Sequence, residues 1–123
     1  MPRREVERAQ LLGRRIEALT DAVVAVYGEW AREIAEVRLV GVPAGRWGIG
    51  GKPAADPAPS VTFAIKEAAF GRPDADDIVA RLISGVTDVI AAVVGERVRP
   101  RVSVDLVGMP AGRSGVGGVV LTS

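Results

Sequence analysis

The sequence predicts an α+β fold of two tandem βαβ-type units in one domain. Helices would cover one face of a mixed sheet, with the first strand absent or permuted. Three observations carry this expectation. The chain matches itself at a shift of 67 residues: segments 14–51 and 81–118 share 20 identities without a gap, where chance would give roughly two or three, so the unit is duplicated. Each copy carries a helical stripe followed by a short apolar run, a change of period from about 3.6 to 2. Each copy then ends in a Gly-rich turn, Gly45–Gly51 and Gly112–Gly118, which suits a hairpin. The organisation is a pseudo-two-fold single domain over 1–123. Repeat 1 covers 1–51, a linker 52–60, and repeat 2 61–123.

The elements follow in order. Val6, Ala9, Leu12, Ile16, Leu19, Val23 and Val26 recur at three- and four-residue steps. They predict an amphipathic helix ending near Gly28. Val37–Val42 predicts a strand, and Gly45–Gly51 a hairpin. Lys52–Ser60 contains Pro53, Pro57 and Pro59, which stop both helix and sheet. Val61–Ile65 predicts a strand whose counterpart in repeat 1 would lie ahead of Met1. Pro73, Asp74, Asp76 and Asp77 suit the N-terminus of a second helix. Its stripe is Val79, Leu82, Ile83, Val86, Ile90 and Val93, and it ends at Gly95. Val102–Val107 predicts the last strand before the second hairpin. A strand, a crossover helix and a second strand make a right-handed βαβ unit with parallel strands. The vacant strand position has three accounts. Val119-Val120-Leu121 fill it in a permuted chain, the start is truncated, or a partner chain supplies a strand to an open edge. Permutation or tolerated loss is the expectation, because Met1-Pro2 is a sensible start.

Composition excludes several chemistries. The chain has 123 residues with no Cys and no His. Disulfides, thiolate nucleophiles, Ser-His-Asp triads and Cys- or His-ligated metals are therefore excluded, and neither a metal nor a cofactor is expected. An acid–base enzyme of this composition needs another group that titrates near neutrality. Removal of Met1 would expose the secondary amine of Pro2, and α-amino groups titrate at roughly 7.7–8.0. Sixteen basic and fifteen acidic residues give a net charge of +1, so no electrostatic case for nucleic acid arises. No apolar run reaches the roughly 18 residues of a membrane span, and no secretory h-region is present. The expectation is a cytoplasmic protein that partners neither nucleic acid nor membrane. Hydrophobic residues make up 48% and aromatics 4%, so the core is aliphatic.

The stretches Leu19–Val24, Val37-Arg38-Leu39-Val40 and Gly45-Arg46-Trp47-Gly48-Ile49-Gly50-Gly51 resemble the 4-oxalocrotonate tautomerase branch of the tautomerase superfamily. Repeat 2 resembles it more faintly, through Glu67, Gly71-Arg72, its helix and Gly112–Gly118. The resemblance implies hexamers or trimers of fused pairs, without cofactor. It also implies enol–keto tautomerisation of small 2-oxo acids, with an amino-terminal proline as general base. Matched position by position, it implies Pro2 as base, Arg38 and Arg72 as catalytic and carboxylate-binding arginines, and Trp47 as the aromatic pocket wall. A planar guanidinium suits a carboxylate, and apolar walls lower the pKa of an amine.

Repeat 2 departs from the pattern: Asp105 stands at the strand arginine and Ser114 at the hairpin aromatic, while Glu5 occupies the helix-opening position of repeat 1. One composite pocket is therefore expected, from Arg38 and Trp47 of repeat 1 and Arg72 of repeat 2. Pro2 aligns with Ala69, beside the corner where Arg72 opens its helix, so it is expected to approach a neighbouring subunit's pocket in a homo-oligomer. Structural roles compete with these. Pro2 is a good first-turn residue, Trp47 suits an interface, and Arg38 and Arg72 suit solvated surface charges. The basic cluster of Arg3, Arg4, Arg8, Arg14 and Arg15 is interleaved with Glu5, Glu7 and Glu17, as on a solvated helix face. The leading expectation is a tautomerase acting on a small carboxylate. The alternative is a catalytically degenerate member of the fold that serves in assembly or small-acid binding.

Overall fold

The computed structural model describes residues 2–122. Helix α1 spans Arg3–Tyr27 and helix α2 spans Ala75–Val94, as their apolar spacing predicts. Strands β1 (Gly48–Ile49) and β2 (Lys52–Pro53) form one antiparallel hairpin. Strands β5 (Gly115–Val116) and β6 (Val119–Val120) form its counterpart. Between them, β3 (Ser60–Lys66) and β4 (Ser103–Met109) pair in parallel, with Val61 opposite Val104 and Phe63 opposite Leu106. The β3–α2–β4 segment is the predicted βαβ unit. Each hairpin turns on two glycines with positive φ, Gly50 (62°) and Gly51 (82°), and Gly117 (60°) and Gly118 (80°). Two positive φ angles in a two-residue loop match the right-handed twist of hairpin strands, and glycine adopts them without a Cβ clash.

Helix α2 lies on one face of the β3–β4 pair, and α1 packs against α2. Val86, Ile90 and Val98 are buried at the centre of a core against Leu19 and Ala22 of α1 and the inward Val61, Phe63, Val102 and Val104. The alternating exposure along β3 and β4 is the period-two signature of a sheet covered on one side. The helices are antiparallel: Tyr27, near the end of α1, meets Ala75, Ile78 and Val79 at the start of α2. Arg81 also reaches the Ala25 carbonyl, at 3.5 Å.

The duplication is also visible in charge. Arg32 pairs with Asp21 at 2.8 Å and Glu29 at 2.6 Å. Sixty-seven residues on, Arg99 pairs with Asp88 at 2.5 Å and Glu96 at 2.7 Å. Each arginine follows its helix and ties the reversing chain back to it. Hydrogen bonds to these carboxylates raise both guanidinium pKa values further.

Three expectations need correction. Val37–Val42 forms no ladder with any described residue, and Val40 is 78% exposed. Its counterpart β4 pairs with β3, whereas repeat 1 offers no such neighbour, and a strand is stable only when its backbone groups are paired. Val119-Val120-Leu121 do not occupy the vacant sheet position. They close the second hairpin, where the Leu121 amide donates to the Ser114 carbonyl at 2.8 Å and the Gly112 amide to the Leu121 carbonyl at 2.9 Å. The described strands form one parallel pair and two antiparallel hairpins. The linker is shorter than 52–60, because Lys52–Pro53 belongs to β2 and Ser60 opens β3.

The linker is tethered by charge. Asp56 receives Arg97 at 3.2 Å and Arg101 at 3.0 Å. Hydrogen bonds from Arg101 and Arg97 hold its carboxyl below the usual carboxylate range. A carboxylate with a depressed folded pKa stabilises the fold above its unfolded pKa, and that contribution fades as pH falls through the folded one. Wild type is therefore expected to melt above Asp56→Asn at pH 7. The gap should close as pH drops below about 4, the ordinary Asp range. Thermal melts of both proteins at pH 7 and pH 3 check this.

Candidate functional site

The enclosed cleft lies where the two repeats meet. Tyr27 from the end of α1, Ile65 from the end of β3, Ala69, Phe70 and Arg72 from the turn after β3, and Ala75, Ile78 and Val79 from α2 line it. The space it encloses is about 10 Å³, room for about one water. The sequence explains this placement. Residues Glu67–Gly71 form a short 3₁₀ turn. Arg72 and Pro73 then run into α2, so Arg72 stands at the rim. Its guanidinium bonds Asp74 at 3.2 Å and keeps further N–H donors for a ligand.

Tyr27 supplies the other polar group. Its backbone carbonyl accepts a hydrogen bond from Trp30 Nε1 at 2.8 Å, and the two rings meet edge to face at 6.0 Å. This fixes the ring against the cleft. Burial raises the phenol pKa, and the positive charge of Arg72 opposes that rise. The hydroxyl is a donor at neutral pH. No spacing rule singles out Tyr27 or Phe70. The available signal was that Tyr27, the only tyrosine, stands where repeat 2 has Val94.

Gly108 of β4 supports the cleft from below. A Cβ there would meet Glu67 Oε2 at 1.8 Å and Phe70 Cε2 at 2.9 Å. The flexible carboxylate can swing away, but the ring is a cleft wall. Gly108→Ala is expected to cost on the order of 1–3 kcal/mol, the scale of overpacking. Chemical denaturation of the variant against wild type measures it.

The remaining predicted site residues lie elsewhere. Arg38 is on the unpaired segment, 80% exposed at its side chain and paired with Glu36 at 3.0 Å. Trp47 is half-buried at the mouth of the first hairpin, where its carbonyl accepts from the Ala54 amide at 2.6 Å. Neither lines the Arg72 cleft, so one chain does not assemble the expected composite pocket from its own residues. Pro2 caps the start of α1. The 25 residues of that helix span about 37 Å at 1.5 Å per residue. Tyr27 and the cleft are at the far end, so Pro2 does not stand beside the Arg72 corner of its own chain. The antiparallel packing of α1 on α2 sets this separation. Met1 lies outside the described residues. Among the described residues, no cluster of His, Cys, Asp or Glu could hold a metal ion. No helix is long and apolar enough to cross a membrane.

No family model matches the chain, and no curated protein matches it. Solved structures do. A wild-type fused 4-OT, solved as an asymmetric trimer, is 27% identical, with 90% of this chain and 85% of that one covered and a TM-score of 0.72. The chain has the fused tautomerase-superfamily fold. A second wild-type fused 4-OT asymmetric trimer aligns at 25% identity over 90% of this chain and 85% of its own, with a TM-score of 0.69. At 21% identity, a protein crystallised after inactivation by 2-oxo-3-pentynoate shares the fold, with 93% and 86% covered and a TM-score of 0.68. In the fused tautomerase fold of this chain, the Arg72 cleft draws on both halves, Tyr27 from the first and the remaining lining from the second.

Proposed function

We propose that the protein is a cofactor-independent tautomerase that interconverts enol and keto forms of a small 2-oxo acid in the cytoplasm. The observation that carries this reading is an arginine at the rim of an apolar cleft, in the fold of the fused 4-OT structures. Arg72 takes the carboxylate, and Arg38 and Trp47, which lie outside the Arg72 cleft of their own chain, supply the oxo-group contact and an apolar wall from a neighbouring subunit. Pro2, freed by removal of Met1, is the base. Its neutral amine takes the enol hydroxyl proton and returns a proton to carbon, so the keto acid forms and the amine is regenerated.

Pro2 and Arg72 stand at opposite ends of α1, so the working site is completed between subunits. Pro2 of one chain serves the cleft of another in a homo-oligomer, in keeping with the trimers of the fused 4-OT neighbours. The second reading, small-acid binding without turnover, is favoured by the distance between Pro2 and the cleft and by Asp105 and Ser114 at positions where the family pattern has functional side chains.

The test begins with intact mass to establish loss of Met1. Ketonisation of a dienol acid is then followed by ultraviolet absorbance for wild type and Arg72→Ala. Saturable acceleration that Arg72→Ala abolishes supports the tautomerase. A wild-type rate equal to buffer across a panel of acids supports binding alone.

A further inference from the structure

We propose that Val37–Val42 of one chain joins the open edge of β3 in a second copy as an added antiparallel strand. The inference goes beyond the reading above, since it needs neither turnover nor Pro2.

Two unpaired elements carry it. The first is the far edge of β3, which pairs with β4 along one side only. The Ser103 amide donates to the Pro59 carbonyl at 3.4 Å, and the parallel register runs on from there. Odd-numbered residues of β3 therefore turn their backbone groups to β4. Ser60, Thr62, Ala64 and Lys66 turn theirs to the other edge, because alternate residues of a strand face opposite neighbours. Those groups find no backbone partner among the described residues. The second element is Val37–Val42 itself. It forms no ladder, and its Leu39, Val40 and Val42 are exposed. An open edge and an unpaired apolar segment each invite a strand. Within one chain the two are not joined, so the pairing that satisfies both links two copies.

Pattern and charge select the register. Along β3 the side chains of Val61, Phe63 and Ile65 turn inward, and those between them are exposed. Antiparallel pairing with Glu36 opposite Lys66 puts Val40 opposite Thr62. Val37 and Leu39 then join Ile65 and Phe63 on the inner face, while Arg38 and Val40 stay on the exposed one. A shift of one residue would turn Leu39 out and Arg38 in. A shift of two sets Arg38 against Lys66 in one direction, like charges directly opposite, and parts Glu36 from Lys66 in the other. Glu36 holds Arg38 at 3.0 Å in an exposed pair, a contact that costs little to release. Pro43 falls opposite Pro59, and with no N–H on either the ladder ends there. Each chain offers one segment and one edge, so the contact passes from copy to copy and closes into a ring.

The chain has no Cys, so introduced thiols report the contact without competition. Opposite Cα atoms at hydrogen-bonded pairs lie about 5.5 Å apart, within disulfide reach. Full-length Val40→Cys and Thr62→Cys are oxidised separately and as a mixture. The expected result is a covalent dimer in the mixture and none in either alone. Assembly is read in parallel by native mass over a dilution series. Val40→Pro removes an N–H aimed at β3 and should weaken assembly roughly a hundredfold or more. Its far-ultraviolet circular dichroism should not change, because Val40 is 78% exposed and unpaired in its own chain. Gly41→Pro removes an N–H aimed away from β3, at a position where a Cβ meets nothing within 4 Å. It should assemble within about threefold of wild type, as proline on the outer side of an edge strand does. Glu36→Lys should raise Kd about three- to tenfold, and adding Lys66→Glu should restore it. A wild type that is monomeric throughout the dilution series overturns the proposal. So do a mixture that yields no covalent dimer, a Val40→Cys and Thr62→Cys double variant that links within one chain, and equal losses from Val40→Pro and Gly41→Pro.

Discussion

Replacing Pro2 with Ala is expected to lower the rate of ketonisation by about 10²–10⁴-fold, the usual contribution of a positioned general base. The reason lies in what the chain lacks. With no His and no Cys, no ordinary side chain is poised near neutrality. A free α-amine at roughly 7.7–8.0 is the available group. The prolyl amine is secondary and its ring fixes the lone pair. Alanine restores a primary, freely rotating amine. Activity of the wild type should rise with pH as this amine loses its proton, because only the neutral form accepts one. Initial rates at saturating acid over pH 5 to 9, for both proteins with Met1 shown absent by mass, check the prediction. Equal rates would remove Pro2 from the mechanism. Pro2 begins a helix and is exposed, so its replacement should leave the fold intact and make the rate interpretable.

Leu82→Ala is expected to cost about 2–5 kcal/mol, the range for truncating a buried leucine. Leu82 is 1% exposed on α2, the helix that covers the β3–β4 pair. Stability of domains this size is about 5–15 kcal/mol, so the loss takes a large share of the total. Urea denaturation of the two proteins measures it. A cost below 1 kcal/mol would mean that the site collapses around the smaller side chain. The matched position in repeat 1 shows why this effect belongs to one half only. There the residue is Arg15, and its Nε is buried without a hydrogen-bond partner among the described residues. The same helix face that meets a sheet in repeat 2 carries a charge in repeat 1.

Much of the architecture was legible in the chain because it is local. Both helices and β3, β4 and the hairpins follow from apolar period, Gly pairs and prolines. The ion triads around Arg32 and Arg99 were also present as identities between the repeats, at Asp21 and Asp88, Glu29 and Glu96, and Arg32 and Arg99. Their meaning needed the turn that brings residues 11 apart together. Val37–Val42 was misread because a strand is defined by its partner, and the pattern of Val, Leu and Gly is the same with or without one. The cleft was half legible. Arg72 stood out by its place before α2, whereas Tyr27 entered through helix packing between distant segments. The distance between Pro2 and Arg72 likewise follows from the antiparallel run of α1 on α2, which the repeat alone does not dictate.

The central claim is that Pro2 of one chain serves the Arg72 cleft of another. Mixing two variants tests it most directly. Pro2→Ala and Arg72→Ala are each expected to be inactive alone. Unfolded and refolded together, they form mixed oligomers in which an intact Pro2 meets an intact Arg72 across a subunit boundary. In a closed ring with heterologous contacts, about a quarter of the sites regain both groups. Ketonisation by the mixture should therefore recover to roughly that share of wild type, well above either variant. A mixture no more active than its parts, with native mass showing mixed oligomers, would contradict the shared site.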